Sequence, residues 1–433
     1  MLLHSTVEEL MGKPVAILGN GVSGQAFERL LCSLGGRAVV LDEASSDGAN
    51  RDFGDVDLSG FDLVVNSPGF RKDHTWITAA IRSQQVQLSS ETEAAAQFWK
   101  GKIVAVTGTN GKTTVTGLLA HALCSGGWNA RVAGNVGVPF SDCVVDSHSS
   151  DDWAVLEVSS FQAWNLSRMR LDGVIWTNFD EDHLDWHESL EDYFASKWRL
   201  IELVGDAPAV IGQEVAEAAR SFGRRLPANV VVVPDSEAEK ESQHLTLGNR
   251  RNLAMIRAWL RQADLEPEWL DLAMRDHVFP AHRFALVGER SGMRFWNDSK
   301  GTNFHAVVAC LSQFSGKVWW LGGGLSKGGD IEGFCNRIAP RISRAFVFGQ
   351  TGQLLKGFLS ARGVPCICCV TMQEALEGAE RMAVAGTDVV LSPGFASFDQ
   401  FAGYADRGIQ FEKWVHGSAV AEPAYHLSHT PNH

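Results

Sequence analysis

Short apolar runs alternate with helix-like patterns along most of the chain, and each of these runs ends in glycine or polar residues. Near-continuous apolar runs between helices are typical of strands in a parallel sheet that is covered on both faces. The clearest runs are 14–18, 38–42, 61–66, 103–107, 153–160, 173–178, 294–297, 317–321 and 387–391. The pattern predicts an α/β fold whose ligands bind beyond the carboxyl ends of the strands.

The most informative run enters the sequence T-G-T-N-G-K-T-T at 107–114, and a helical pattern follows. A strand, a glycine turn and a helix N-terminus together form an anion cradle, because the first helical N–H groups lack internal partners. Lys112 adds a cation for the outer phosphates, and Thr113 adds a hydroxyl for Mg²⁺. Val106 stands where the usual P-loop has its first glycine, so the spacing is a shorter variant. We interpret the stretch as an ATP loop, the alternative being a glycine-rich loop with a surface lysine.

A second glycine motif, G-N-G-V-S-G at 19–24, follows the first apolar run, and Asp42 closes the next one. This is the dinucleotide fingerprint with an acid about 20 residues further on. It indicates close approach of a phosphate to a helix N-terminus, which any nucleotide diphosphate can use. The fingerprint alone suggests an NAD-dependent oxidoreductase as an alternative to an ATP-using enzyme. A catalytically silent nucleotide sensor, which would bind ATP without a reaction, is a third possibility.

Composition narrows the class of protein. The 433 residues are 45% hydrophobic and 21% charged, with a formal net charge of −13, which argues against nucleic acid and anionic lipid as partners. No apolar run approaches the ~18 residues of a membrane span, and the N-terminus lacks a signal-peptide pattern. The eight cysteines include C-I-C-C at 366–369, which we expect to be a buried strand of free thiols. We predict a cytoplasmic protein with no membrane contact.

The succession of βα units predicts three domains. We place a Rossmann-like domain at 1–98, a central P-loop-type ATPase domain with a parallel sheet at 99–279, and a C-terminal Rossmann-like α/β domain at 280–433.

Several polar residues follow the apolar runs of the central region. A carboxylate such as Glu157 is costly to bury without a cation, and His183 lies in an acidic, aromatic loop. We expect Lys112, Glu157, Ser159 and His183 to converge at one sheet edge. In isolation, however, His183 reads as an ordinary surface or core histidine, and composition alone makes Lys197 a solvated lysine.

Motifs further along the chain complete a pattern. In order, they are G-T-N-G-K-T-T at 108–114, G-N-V-G at 134–137, E-V-S-S-F-Q at 157–162, D-H-L-D-W-H at 182–187, Lys197, H-R at 282–283, N-D-S-K at 297–300 and S-P-G-F-A-S at 392–397. This series resembles the Mur ligases of peptidoglycan synthesis over nearly the whole chain. The forms E-V-S-S-F-Q and S-P-G-F-A-S-F-D look like the member that joins D-glutamate to UDP-N-acetylmuramoyl-L-alanine.

The resemblance implies a reaction and its participants. ATP converts a carboxylate to an acyl phosphate. The amine then attacks the acyl phosphate to form a tetrahedral intermediate, from which phosphate departs. One Mg²⁺ is implied at Thr113 and Glu157, and a second at His183 and a carbamylated Lys197. The implied catalytic residues are Lys112, Glu157, His183 and Lys197. Another ligase of the superfamily, using L-glutamate or a different amino acid, is the alternative. We expect small-molecule substrates and a monomer.

The resemblance also implies three sets of binding residues. Those for ATP are Gly108, Thr109, Asn110, Gly111, Lys112, Thr113, Thr114, Asn249, Asn252, Arg283 and Asp298. Those for the UDP-linked substrate are Gly21, Val22, Ser23, Asp42, Ser67, Gly69, Asn135, Ser159 and Gln162. Those for the amino acid are Lys300, Thr302, Lys327, Ser397, Phe398 and Tyr404. For single residues, purely structural roles stay open as alternatives. Asn249 or Ser397 could be helix caps, Asp42 a turn residue and Tyr404 a core aromatic.

Overall fold

The computed structural model describes residues 13–42, 60–83, 86–146, 149–184, 186–242, 245–277 and 282–417. These residues form two compact units, one of 13–180 with 186–277 and the other of 181–184 with 282–417. Each unit is built from helices and sheets of mainly parallel strands, so the predicted α/β class is confirmed. None of the described helices is both long and apolar enough to span a membrane.

The first unit begins with a parallel sheet of four described strands in the order β2-β1-β3-β4. The strands are β1 (Val15–Leu18), β2 (Ala38–Leu41), β3 (Leu63–Asn66) and β4 (Gln87–Ser90), and the helices are α1 (Val22–Ser33), α2 (Thr75–Ser83) and α3 (Glu91–Ala96). All four residues of β1 and of β3 are buried, as continuous apolar runs predict. The glycine motif at 19–24 therefore leaves the carboxyl end of a central strand.

The same unit continues into a second parallel sheet, in the order β10-β9-β8-β5-β7-β6. Its strands are β5 (Lys102–Thr107), β6 (Ala130–Gly134), β7 (Trp153–Glu157), β8 (Gly173–Trp176), β9 (Ala209–Gly212) and β10 (Val230–Val233). Its helices are α4 (Lys112–Ser125), α5 (Phe140–Val145), α6 (Ser160–Ala163), α7 (Leu190–Leu203), α8 (Gln213–Ser221), α9 (Asp235–Ala238), α10 (Leu247–Gln262) and α11 (Trp269–Arg275). Because β5 lies between β7 and β8, the loop after β5 is flanked by the ends of both neighbours.

One apolar cluster spans both sheets of the first unit. It includes Ile17 and Phe27 from the first sheet, and Ile103 and Phe140 from the second. Burial of such a shared surface explains why the two sheets form one compact unit. The predicted division into domains at 98/99 and 279/280 stays a prediction.

The second unit contains a sheet in the order β11-β12-β16-β13-β14-β15. Its strands are β11 (Ala285–Arg290), β12 (Met293–Asn297), β13 (Val318–Gly323), β14 (Ile342–Phe348), β15 (Cys366–Cys368) and β16 (Asp388–Leu391). Its helices are α12 (Phe304–Leu311), α13 (Ile331–Ile338), α14 (Gly352–Ala361), α15 (Met372–Arg381) and α16 (Tyr404–His416), with a 3₁₀ turn at Ala339–Arg341.

Two local features of this sheet differ from expectation. β11 pairs antiparallel with β12 through a turn in which Ser291 and Gly292 both have positive φ (53° and 76°), the twist that two-residue hairpins favour. Cys366 and Cys368 are half-buried rather than buried, because β15 ends the order of described strands and pairs only with β14. Their free-thiol state is as expected.

Candidate active site

The loop after β5 has the backbone that an anion cradle requires. Gly111 caps α4 with a φ of +86°, and Gly108 has a φ of +150°. A Cβ on Gly108 would lie 2.0 Å from the Thr177 hydroxyl oxygen, and one on Gly111 would lie 2.4 Å from the Asn252 amide oxygen. Only glycine satisfies both the conformation and the close approach at these two positions. The predicted strand, glycine turn and helix are confirmed.

The end of the neighbouring strand β8 supports this loop. Asn178 accepts the backbone N–H groups of Thr109 (3.1 Å) and Asn110 (2.9 Å) through its carbonyl and side-chain oxygens, respectively. The Thr177 hydroxyl and the Asn178 amide both donate to the Asn110 carbonyl, at 2.6 and 3.0 Å. Sequence reasoning assigned no role to these two residues, although they are the polar pair that ends the 173–178 run.

Two lysines converge on the same loop. Lys112 Nζ donates to the carbonyl oxygens of Gly108 (2.9 Å) and Thr109 (3.0 Å). Lys197 Nζ, from α7, donates to the same Gly108 oxygen at 2.9 Å and lies 4.8 Å from the centre of the Tyr193 ring. Lys197 is only 1% exposed, so its interpretation as a solvated lysine is wrong. Two ammonium groups at the N-terminus of a helix make the loop attractive to phosphate.

Glu157, at the end of β7, is 3% exposed. Its Oε1 accepts a hydrogen bond from the Asn135 amide at 2.8 Å, and its backbone carbonyl accepts the Asn135 N–H at 2.9 Å. Its Oε2 is buried and has no hydrogen-bond partner among the described residues. A buried carboxylate oxygen without a partner is costly unless a cation completes its environment, so the site fits a metal ion.

The two asparagines of α10 are buried. Thr246 caps this helix by accepting the Asn249 N–H at 3.2 Å, so the reading of Asn249 as a helix cap is wrong. Asn252 reaches Gly111 closely enough to exclude any side chain there.

The glycine motif of the first sheet is equally close-packed. A Cβ on Gly24 would lie 1.9 Å from the Gly19 carbonyl oxygen. Asp42 Oδ2 accepts the Asn20 N–H at 2.5 Å, so this acid holds the loop rather than only ending a strand. Ser67 lies beside Gly19, and its hydroxyl is buried without a partner among the described residues. Gly21 caps α1, Val22 and Ser23 begin it, and Gly69 has open space around its Cα.

Ser159 and Gln162 form a capping box at α6. The Gln162 N–H donates to the Ser159 hydroxyl at 3.3 Å, and the Ser159 N–H donates to the Gln162 side-chain oxygen at 3.0 Å. Both side chains are buried, so they have a structural role that sequence reasoning did not predict.

In the second unit, several predicted residues surround the loop after β12. Ser392 donates to Asp298 Oδ2 at 2.6 Å, and burial raises the pKa of Asp298 to about 6 while the positive charge of Arg283 opposes the rise. Lys300 Nζ lies 5.7 Å from the centre of the Tyr404 ring. Tyr404 is 40% exposed, so it is not a core aromatic. Phe398 is largely exposed, whereas Ser397 is buried.

A small cavity in this unit is lined by Asp182, His183, Thr302, Lys327 and Phe395, among others. Lys327 Nζ lies 2.7 Å from Asp182 Oδ1, and Asn303 donates to Oδ2 at 3.1 Å. Although burial disfavours the charged carboxylate, Lys327 and His183 hold the pKa of Asp182 below its ordinary value. Sequence reasoning gave Asp182 no role. His183 belongs to this unit, so its predicted convergence with Lys112 stays a prediction.

The glycine loop, its lysines and the buried carboxylate have the features that a nucleoside-triphosphate site requires. Residues 106–258 match the Mur ligase middle domain, and residues 282–395 match the Mur ligase glutamate ligase domain.

Two relatives and one solved structure show how far the similarity extends. The UDP-N-acetylmuramoylalanine–D-glutamate ligase of Syntrophus aciditrophicus is 30% identical, over 95% of this chain and 99% of its own. The enzyme of the same name from Caulobacter vibrioides is 31% identical, over 94% and 96%. The MurF ligase of Thermotoga maritima, solved in complex with ADP, has a TM-score of 0.54 at 17% identity, covering 95% of this chain and 97% of that one.

The chain belongs to the Mur ligase family, and the resemblance carried by its motifs is confirmed. It is an ATP-dependent amide ligase, so the interpretations as an NAD-dependent oxidoreductase and as a silent nucleotide sensor are set aside.

Proposed function

We propose that this protein joins the amine of D-glutamate to the carboxylate of UDP-N-acetylmuramoyl-L-alanine, with ATP hydrolysed to ADP and phosphate, in peptidoglycan synthesis. Relatives of about 30% identity over nearly the whole chain carry that activity in their names. The structural observation that supports it most is the loop after β5, where Lys112 and Lys197 meet beside the buried Glu157.

The chemistry explains why such a loop is needed. A carboxylate is a poor electrophile, so its oxygen first attacks the γ-phosphorus of ATP, and ADP leaves. The amine then attacks the carbonyl carbon of the acyl phosphate, and phosphate leaves the tetrahedral intermediate. Two anions must approach each other in the first step. The ammonium group of Lys112 and the N-terminus of α4 reduce their repulsion.

We assign Mg²⁺ to Thr113 and Glu157, where it would neutralise charge on the transferred phosphate. No group of three or more His, Cys, Asp or Glu side chains within the described ranges is arranged to hold a metal. Mg²⁺ commonly takes one or two carboxylates and completes its shell with water and phosphate. This suits Glu157, whose Oε2 has no hydrogen-bond partner within the described part of the chain.

Glu157→Gln tests this assignment, because it removes the charge and keeps the size. We expect turnover to fall roughly 10²-fold and the Mg²⁺ concentration for half activity to rise. Calorimetric titration of Mg²⁺ into the protein with a non-hydrolysable ATP analogue gives a second readout. Unchanged Mg²⁺ affinity in the variant would contradict the assignment.

We also propose that Lys197 acts as a carbamate and that His183 serves the same second metal ion. Carbamylation would turn a buried ammonium into an anion while keeping an N–H donor for the Gly108 carbonyl. Lys197→Ala should lose most activity, and a short-chain carboxylic acid should restore part of it. Full activity of Lys197→Ala would refute this role.

We assign each part of the three substrates to a set of binding residues. The UDP end of the substrate is proposed to bind Gly21, Ser23, Asp42, Ser67 and Gly69, with Val22 alongside. Its muramoyl-alanine end is proposed to bind near Asn135, Ser159 and Gln162. ATP is assigned to the loop 108–114 with Asn249, Asn252, Arg283 and Asp298, and D-glutamate to Lys300, Thr302, Lys327, Ser397, Phe398 and Tyr404.

A panel of amino acids tests the reaction. With UDP-N-acetylmuramoyl-L-alanine and ATP, phosphate release should be greatest with D-glutamate, and L-glutamate is the matched control. If L-glutamate or another amino acid supports release and D-glutamate does not, the substrate assignment is wrong. The cytoplasmic location, the monomeric state and the lack of membrane contact stay predictions.

A further inference from the structure

His187 is a buried histidine that the proposed reaction does not use. It is 3% exposed, and its two ring nitrogens have different partners. Nδ1 lies 3.0 Å from Asp192 Oδ2, and Nε2 lies 2.9 Å from the Ser160 hydroxyl. An ionised carboxylate only accepts hydrogen bonds, so Nδ1 carries the proton and Nε2 accepts from Ser160.

This chain of contacts continues into the first sheet. Lys72, in the loop that follows β3, pairs with both oxygens of Asp192 and lies 2.6 Å from Oδ2. Its ammonium also lies 5.2 Å from the centre of the Trp186 ring. The side chains of this ion pair are only about one-quarter exposed, so solvent screens them less than a surface pair.

A second, shorter link runs parallel to the first. The Asn165 amide, just beyond α6, donates to the Asn66 side-chain oxygen at the end of β3, at 2.8 Å. The loop after β3 is therefore joined to the α6 segment directly through Asn66, and indirectly through Lys72, Asp192 and His187.

The distances between Ser160, His187 and Asp192 are those of a serine-hydrolase triad, but the environment is not. Ser160 is 1% exposed and stands in the first turn of α6, so no substrate carbonyl reaches its hydroxyl. The His187 ring is enclosed by aromatic side chains, with ring centres 4.6 Å away for Trp186, 5.1 Å for Tyr193 and 5.9 Å for Phe161. The hydrogen bonds of Ser160, His187 and Asp192 therefore hold the segments that carry these residues in place, and Ser160 does not act as a nucleophile.

We propose that His187 is a positioning residue for the UDP-linked substrate. This inference rests on the proposed function, in which the loop after β3 holds the UDP end and the loop after β7 holds the muramoyl-alanine end. A ligand that bridges two sheets binds well only if its two sets of contacts keep a set separation. The Lys72–Asp192–His187–Ser160 chain maintains that separation, because it ties the residues after Ser67 and Gly69 to the segment that begins at Ser159.

The experiment measures the Kd of UDP-N-acetylmuramoyl-L-alanine and the Kd of a non-hydrolysable ATP analogue by calorimetry. His187→Phe keeps a ring among the aromatic neighbours and removes both hydrogen bonds. In this variant, we expect the Kd of the UDP compound to rise roughly tenfold and the Kd of the ATP analogue to change less than twofold. Lys72→Met should lower the affinity for the UDP compound several-fold. Lys72→Arg keeps the ion pair and should therefore keep the wild-type affinity.

Two further measurements separate positioning from general damage. Lys13→Met removes an exposed ion pair with Asp62 in the same sheet and should change neither Kd. In the double variant Lys72→Met/His187→Phe, the Kd of the UDP compound should rise by less than the product of the two single-variant fold-changes. The reason is that both residues act through the same chain of contacts.

The outcomes are distinct. Unchanged affinity for the UDP compound in folded Lys72→Met and His187→Phe would overturn the proposal, as would an equal loss for the ATP analogue. A wild-type protein that binds the UDP compound yet releases no phosphate with D-glutamate would overturn the proposed reaction only, since the Kd values still test the positioning role. Failure of the wild type to bind the UDP compound would overturn both.

Discussion

Two glycine-rich loops in the first unit share one plan and differ in the charges around them. The loop after β1 and the loop after β5 both leave the carboxyl end of a buried parallel strand and lead into a helix. In the first loop, an acid, Asp42, accepts a backbone N–H. In the second, Lys112 and Lys197 donate to backbone carbonyls.

This difference indicates what each loop is suited to bind. An acid beside a glycine turn suits the hydroxyls of a ribose, and it limits the negative charge that can approach. The Lys112 ammonium, with the buried Glu157 carboxylate at the end of the adjacent strand β7, suits a triphosphate and its metal ion. We therefore expect both loop backbones to accept a phosphate and the neighbouring side chains to determine which nucleotide binds.

The largest expected effect is at Lys112. Lys112→Ala removes the cation that we assign to the transferred phosphate, and turnover should fall roughly 10²- to 10³-fold in a phosphate-release assay. Lys100→Ala, at an exposed position just before β5, is the control and should keep wild-type activity. Comparable activity in both variants would remove the distinction between the two loops.

The Lys72–Asp192–His187–Ser160 chain, which joins the loop after β3 to α6, should make the stability of the protein depend on pH. Burial lowers the pKa of His187 to about 4, Asp192 opposes this, and the charges of Lys72 and Lys197 add to it. As pH falls from about 6.5 to about 4, the unfolded chain binds a proton that the folded chain does not. Stability should therefore fall over that window, by on the order of 3 kcal/mol from this group.

Denaturant unfolding at pH 7 and pH 4.5, followed by tryptophan fluorescence, measures this effect. Because Asp298, in the other unit, has a raised pKa of about 6 and acts in the opposite direction, the comparison is between wild type and His187→Phe. The variant should lose less stability on acidification. Equal losses would show that His187 is not held neutral by its surroundings.

A smaller effect is expected at the first loop. Asp42→Ala removes the acceptor of the Asn20 N–H, and affinity for UDP-N-acetylmuramoyl-L-alanine should fall about tenfold with ATP affinity unchanged. Asp62→Ala, at an exposed acid before β3, should leave both affinities as they are. A loss of ATP affinity in Asp42→Ala would mean that the two loops do not have separate ligands.

The smallest effect concerns the helix after the second loop. Gly117 lies inside α4, and an added Cβ would meet no atom within 4 Å, so Gly117→Ala should stabilise the protein by about 0.5–1 kcal/mol. Gly111→Ala should destabilise it, because of its positive φ and the nearby Asn252. Thermal unfolding of the two variants measures the contrast, and a destabilised Gly117→Ala would show that this helix face is covered.

Prediction from sequence was most successful where the signal is local. The strand, glycine turn and helix around Lys112 follow from apolar continuity and from the few conformations available to residues other than glycine. It failed where contacts depend on strand order. Thr177 and Asn178 support the phosphate loop only because β8 lies beside β5, although about 70 residues separate them. The hairpin at Ser291 was missed because serine at positive φ leaves no pattern of its own.

The sequence by itself determined the α/β class, the positions of the glycine loops and the family, because periodicity and short motifs depend on near neighbours in the chain. Tertiary structure alone decided that Lys197 is buried against Gly108 and that Lys72, Asp192, His187 and Ser160 meet. These contacts arise when separate strands and helices pack. No local pattern of residues specifies which distant side chains then share a hydrogen bond or an ion pair.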